Sequence, residues 1–76
     1  MYYIITGSFI STQNANLAAK QYHNKGYNTS IISTTNRNGK KAVLVSVKAF
    51  SNLEEAVSFL REFQSKVDST AWMYSN

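Results

Sequence analysis

The apolar positions of this chain change their spacing several times, and each spacing predicts a different element. Residues 2–6 are a run of aromatic and β-branched side chains, which is typical of a strand. From about residue 13 to residue 24 the apolar positions recur at intervals of three and four, which indicates an amphipathic helix. The same two patterns continue downstream. We therefore expect the order βαββαβ, with strands at 27–34, 41–50 and 69–75 and a second helix from about 53 to 66.

The two strand–helix units match each other at a shift of 41 residues, which is the separation of Phe9 from Phe50. Each unit has an aromatic residue, a short polar stretch, and then apolar residues at the i, i+3, i+4 and i+7 positions of a helix. The match lies in the pattern more than in residue identity, and chance similarity over so short a span is the alternative. The pattern predicts a core of Phe9, Ala15, Ala19, Tyr22, Val45, Phe50, Ala56, Phe59, Leu60 and Phe63.

Small polar residues and glycines mark the predicted ends of the elements, because they cap helices and adopt turn conformations that other residues avoid. The candidates are Ser11 or Thr12 and Ser51 or Asn52 as helix N-caps, Gly26 after the first helix, and Asn38-Gly39 in a hairpin turn. Gly7 is expected to end the first strand, with Phe9 anchoring the loop that follows in the core.

The expected fold is α+β, a ferredoxin-like βαββαβ sandwich with a four-stranded antiparallel sheet. Each helix has one apolar stripe, so both helices must pack on the same face of the sheet, with the first and third strands in its centre. The other face stays open. Alternation along the strands directs Tyr3, Ile5, Leu44 and Ser46 to this open face and Ile4 toward the helices.

Composition limits the classes of function. The 76 residues suffice for one domain, and 43% hydrophobic residues are typical of a globular chain. Without cysteine there is no disulfide framework and no thiolate metal site, and no apolar run approaches the ~20 residues that span a bilayer. The formal net charge of +4 is compatible with an anionic partner, although such an excess on a small domain is usually solvated surface.

The sequence offers little for catalysis. His23 is the sole histidine, and three of the four carboxylates fall on the predicted second helix, where solvent exposure explains them. The sequence contains no recognisable nucleophile–base pair, metal-binding cluster or phosphate-binding glycine loop. The sequence therefore predicts a binding module that is not an enzyme and has no cofactor or metal.

An RNA-binding domain of the same strand order is a weaker alternative. Such domains stack bases on aromatic side chains of the third strand. The outward positions of that strand are Ala42, Leu44 and Ser46, none of which is aromatic. We therefore expect no nucleic-acid partner.

Four stretches of the chain resemble the SPOR domain family. They are "YYIITGSF", the helix "NANLAAKQYHNKGY", the valine-rich "VLVSVKAFSNLEEA" and the closing "TAWMYS", which together span residues 2–75. The resemblance implies a peptidoglycan-binding domain that recognises glycan strands lacking stem peptides at the bacterial division septum. It also implies that residues 1–76 are one SPOR-like domain of a larger envelope protein. Targeting signals outside this sequence would carry it to the periplasm or cell envelope, without membrane insertion by the domain itself.

The resemblance places the glycan on the open sheet face. Ser8 keeps the serine that the family has at the rim of this face. Ile5 stands where the family often has glutamine, and Ala42 and Leu44 stand where it commonly has an aromatic and an arginine. The glycan-binding residues expected on this basis are Tyr3, Ile5, Ser8, Leu44, Ser46, Arg37 and Lys40.

These departures remove polar groups from the open face and leave a second interpretation. Tyr3, Ile5 and Leu44 together would form an apolar patch suited to a protein partner or to self-association. Scattered exposed apolar residues are also normal on protein surfaces and need no partner. If the face does bind glycan, we expect a lower affinity than is usual in the family, because fewer hydrogen-bonding groups are available.

Overall fold

The computed structural model describes residues 1–35 and 37–76, and it has the predicted order βαββαβ. The elements are β1 (Tyr2–Phe9), α1 (Thr12–Asn24), β2 (Ser30–Thr35), β3 (Lys41–Phe50), α2 (Leu53–Lys66) and β4 (Trp72–Ser75). Strand β3 has the predicted bounds, and both helices begin and end within one residue of theirs. Strand β1 continues past its predicted end, while β2 and β4 begin later than predicted.

All four strands form one antiparallel sheet in the order β2-β3-β1-β4. Strands β1 and β3 occupy its centre, as predicted. Helix α1 connects central strand β1 to edge strand β2, and α2 connects central strand β3 to edge strand β4. Two interleaved connections of this kind define the ferredoxin-like arrangement, which confirms the predicted fold class.

The core lies between the two helices and one face of the sheet. It consists of Ile4, Val47, Ala56, Phe63 and Ala71 near α2, and of Ala15, Ala19, Val43 and Val45 near α1. The three valines alternate along β3, so both groups lie on the same sheet face. Both helices therefore pack on one face, as the single apolar stripe of each helix predicts.

The predicted core residues separate into two classes of burial. Ala15, Ala19, Val45, Ala56 and Phe63 are buried, whereas Phe9, Tyr22, Phe50, Phe59 and Leu60 are partly buried. A two-layer fold of this length leaves the outer edges of large rings near solvent. The rings contact one another instead: the centroid of Phe63 lies 5.6 Å from that of Tyr27 and 5.8 Å from that of Phe59. This aromatic contact joins α2 to the segment that follows α1.

The two strand–helix units are equivalent in the backbone as well as in the pattern. Helix α1 begins at Thr12 and α2 at Leu53, so the starts are offset by the same shift as Phe9 and Phe50. Ser11 Oγ accepts a hydrogen bond from the N–H three residues on at 3.4 Å, and Asn52 Oδ1 does the same at 3.1 Å. The N-caps are therefore Ser11 and Asn52.

The expectation that Gly7 ends β1 is wrong. Gly7 lies inside β1, pairs with Val45, and does not adopt a left-handed backbone. Packing explains the glycine, because a Cβ at this position would lie 2.8 Å from Cε2 of the Phe9 ring. The missing side chain lets that ring pack against the buried residues near α1.

Gly26 closes the end of α1 in the predicted left-handed conformation, with φ of 99°. Its N–H donates to the carbonyl of His23 at 3.0 Å, and the N–H of Tyr27 donates to the carbonyl of Tyr22 at 3.2 Å. The rings of Tyr22 and Tyr27 make contact with centroids 5.8 Å apart. The two hydrogen bonds and the ring contact form a Schellman motif, which satisfies the last carbonyls of the helix.

Replacement of Gly26 by alanine should lower the free energy of unfolding by about 1–2 kcal/mol, the cost of a Cβ in left-handed backbone. Crowding does not contribute, since an added Cβ would meet no atom within 4 Å. Urea melts of Gly26→Ala and of the control Asn24→Ala, in the last turn of α1, measure the difference. A loss below about 0.5 kcal/mol would contradict the left-handed helix cap.

Candidate functional site

The face of the sheet opposite the helices is the candidate site, and we call it the open face. The residues of the open face are identified from cross-strand pairing, because directly paired residues of neighbouring strands point to the same side of the sheet. They are Tyr3, Ile5, Ser8, Ser30, Ile32, Thr34, Ala42, Leu44, Ser46, Ala49, Trp72 and Tyr74. Among the described residues, none of these belongs to the two core groups under the helices.

The middle of the open face is closed to solvent, which corrects one expectation. Ile5 and Ser46 are 0% exposed and Leu44 is 3% exposed, although all three point away from the helices. Each lies on a central strand between two paired residues of the same face; Ile5, for instance, lies between Trp72 and Ser46. These three residues form the floor of the face and do not present their side chains to a ligand.

The hydroxyl of Ser46 is also engaged within the sheet. Its Oγ donates to the backbone carbonyl of Lys48 at 3.0 Å. The pairing of β1 with β3 is irregular at this point, since Ile4 pairs with Lys48 but Ile5 pairs with Ser46. The Ser46 hydroxyl thus binds a backbone carbonyl beside a β-bulge, where the ladder is locally disrupted.

Three aromatic side chains lie together along the β1–β4 side of the open face, and we call them the aromatic row: Tyr3, Trp72 and Tyr74. Tyr3 pairs with Tyr74, and their ring centroids are 6.3 Å apart at an interplanar angle of 40°. Trp72, paired with Ile5, is 42% exposed. The row offers an apolar surface with polar edges that solvent reaches, which is the combination that aromatic residues supply at binding sites.

The sequence-based expectation missed two of these three residues. The sequence pattern places Trp72 and Tyr74 in the closing strand and gives neither a role in the site. Their spacing of two residues indicates that they share a face. Only the antiparallel pairing of β4 with β1 shows that this face is the one that carries Tyr3.

At the other end of β1 the open face leads into a depression of about 520 Å³, which we call the basic depression. Its lining residues are Ser8, Phe9, Ile10, Lys40, Lys41 and Ala42. The structure therefore brings two expected site residues, Ser8 and Lys40, together. Arg37 is exposed in the turn between β2 and β3 and is not among the lining residues. Tyr3 lies five residues from Ser8 on β1, or about 17 Å along an extended strand.

Charge is distributed unequally between the two sides of the molecule. Three of the eight basic residues fall within residues 37–41, beside the open face, and none of the described strands contains a carboxylate. Glu54, Glu55 and Glu62 lie on α2, and Asp68 follows it. Lys66 donates to Glu62 at 2.8 Å, which lowers the pKa of that carboxyl. The open face therefore has a positive neighbourhood and the α2 side holds the acidic groups.

Groups suited to catalysis or metal binding are not assembled in the part of the chain that the structure describes. No cluster of three or more histidine, aspartate or glutamate side chains that could hold a metal occurs in residues 1–35 and 37–76. His23 is exposed near the end of α1. In the same ranges, no helix is long and apolar enough to cross a membrane.

Comparison with known proteins gives one match. A model of the SPOR domain family matches residues 1–74 of the 76-residue chain. No curated protein and no solved structure matches.

Proposed function

The chain belongs to the SPOR domain family, and we propose that its open face binds glycan strands of peptidoglycan that lack stem peptides, at the bacterial division septum. SPOR domains are peptidoglycan-binding, non-catalytic domains that occur in cell-envelope proteins. A function in binding agrees with a chain that carries few catalytic side chains.

The observation that carries the proposal is the aromatic row, with Trp72 exposed and Tyr3 and Tyr74 half-buried, on a sheet face that neither described helix covers. A pyranose ring presents an apolar C–H surface, which packs on the face of an aromatic side chain while its hydroxyls stay hydrated. Trp72 and Tyr3 lie on the same sheet face, on neighbouring strands and at adjacent paired positions. A linear sugar chain can therefore lie along the row.

The aromatic row also supplies the stacking surface that the outward positions of β3 lack. Ala42 and Leu44 occupy the β3 positions where the resemblance leads us to expect an aromatic and an arginine, and Leu44 is buried. In this chain we assign stacking to Tyr3, Trp72 and Tyr74, and polar contacts to Ser8, Arg37 and Lys40. The floor of the open face, on which these side chains rest, consists of Ile5, Leu44 and Ser46.

The alternative of a protein-binding or self-associating patch receives no support from the structure. It depends on Tyr3, Ile5 and Leu44 acting together, but Ile5 and Leu44 are buried. The RNA-binding alternative is likewise not favoured, because the described outward positions of β3 carry no aromatic side chain.

An amide-shift titration with glycan fragments that lack stem peptides tests the proposal. We expect shifts at Tyr3, Ser8, Trp72 and Tyr74, small indirect shifts at the floor residues, and none along the outer surfaces of α1 and α2. Fragments with intact stem peptides should bind more weakly. Shifts confined to the helices would contradict the proposal, and so would an absence of shifts. Concentration-dependent shifts of the open face without ligand would favour self-association, and equal shifts with an RNA oligonucleotide would favour a general stacking surface.

A further inference from the structure

We infer that the basic depression is a carboxylate subsite, and that it recognises the acid group left on the glycan wherever a stem peptide has been removed. The inference rests on the proposed function and adds a ligand group to it. Hydrolysis of the amide between glycan and stem peptide adds water across the C–N bond. The glycan keeps a carboxylate, and the peptide leaves with a free amine. A strand without stem peptides therefore carries negative charges that a substituted strand lacks at the same positions.

The geometry of the depression suits a carboxylate. Its lining includes Ser8, which carries a hydroxyl, and Lys40 and Lys41, which carry ammonium groups. Ser8 is exposed and lies on the open face, where it pairs with Leu44. A hydroxyl and an ammonium group can both donate to carboxylate oxygens, and hydrogen bonds to a charged group are stronger than neutral ones.

The electrostatic surroundings point to the same ligand. Arg37 lies in the adjoining turn and adds a third cation within five residues. The four carboxylates of the chain fall on α2 and just after it, on the side where the helices pack. No carboxylate occurs in the described strands or among the lining residues, so the charged side chains that line the depression are both cationic. An anionic group that binds in the depression is therefore surrounded by the positive charges of Lys40 and Lys41.

The depression adjoins the open face at the end of the sheet, since Ser8 and Ala42 belong to that face while Phe9 and Lys41 alternate with them. Tyr3 and Ser8 belong to one strand, separated by about 17 Å. A linear glycan that stacks on the row can therefore extend along β1 until an acid group reaches the lysines. Recognition of a missing stem peptide then depends on the carboxylate charge at one position along the glycan. An amide at that place is neutral and carries a bulky peptide.

The decisive experiment compares two versions of one ligand. Glycan fragments without stem peptides are titrated as the free acids and as their neutral methyl esters. We expect the esters to bind about tenfold more weakly, through loss of charge-assisted hydrogen bonds. Equal affinity would overturn the carboxylate subsite while the proposed function stands. Failure of both ligands to bind would overturn the proposed function itself.

Two variants identify the residues responsible. Lys40→Gln combined with Lys41→Gln removes two charges from exposed positions, and Lys20→Gln on the exposed surface of α1 is the control. The double variant should bind acid and ester alike and should show a smaller loss of affinity with added salt. The control should discriminate as the native chain does. Amide spectra of the free variants check the fold, and undiminished discrimination by a folded double variant would overturn the inference.

Discussion

Replacement of Phe63 by alanine should lower the free energy of unfolding by about 3–5 kcal/mol, the largest loss that we expect from a single truncation in this chain. Phe63 is the largest buried side chain of α2, and its ring contacts those of Tyr22, Tyr27 and Phe59 at centroid distances of 6.2, 5.6 and 5.8 Å. Truncation leaves a cavity and also removes the ring through which α2 contacts the end of α1.

Two further variants make this prediction specific. Phe59→Ala should cost less than Phe63→Ala, because Phe59 is only partly buried, and Leu17→Ala on the exposed side of α1 should change stability little. A domain of this length has a free energy of unfolding of only about 4–11 kcal/mol, so Phe63→Ala can lie near the limit of folding. Phe63→Leu then supplies a measurable, smaller loss. A greater loss for Phe59→Ala than for Phe63→Ala in urea melts would contradict the packing described.

Replacement of Trp72 by alanine should weaken binding of glycan without stem peptides by at least about tenfold. Trp72 is the most exposed large ring of the aromatic row and lies on edge strand β4, where few core contacts depend on it. The loss should therefore fall mainly on affinity, with a smaller loss of stability because Trp72 helps to cover Ile5. Calorimetric titration of the variant, beside a urea melt of the free protein, measures both quantities.

Matched variants separate stacking from a general loss of apolar surface. Trp72→Phe keeps a ring at the same position and should retain part of the affinity. Leu17→Ala removes an exposed apolar side chain from α1, on the other side of the sheet, and should bind like the native chain. A natively folded Trp72→Ala variant with unchanged affinity would show that the glycan does not lie along the aromatic row.

Much of the fold followed from local features of the sequence. The apolar periodicities predicted the order of elements, because a helix or a strand must bury the stripe or face that its own spacing creates. The shift of 41 residues predicted equivalent helix starts, and Ser11 and Gly26 marked the ends of α1 by the backbone bonds that such residues make. These features depend on residues within a few positions of one another.

The candidate site was predicted less completely. Alternation placed Tyr3, Ile5 and Leu44 on the correct face but could not show how far each is exposed. Gly7 was assigned a backbone role, although its importance comes from the position of a neighbouring ring. Trp72 was missed, since nothing in its own neighbourhood relates it to β1.

The sequence by itself thus determined the elements, their caps, the fold class and the family, all of which arise from local spacing and from short ordered motifs. The tertiary structure alone decided which outward residues reach solvent. Exposure depends on the two strands that flank each residue, and these come from distant parts of the chain: Ile5 is covered between Trp72 and Ser46, while Trp72 at the sheet edge has a neighbour on one side only. Strand pairing across the sheet therefore placed the aromatic row on the open face and the basic depression beside that face at the other end of β1.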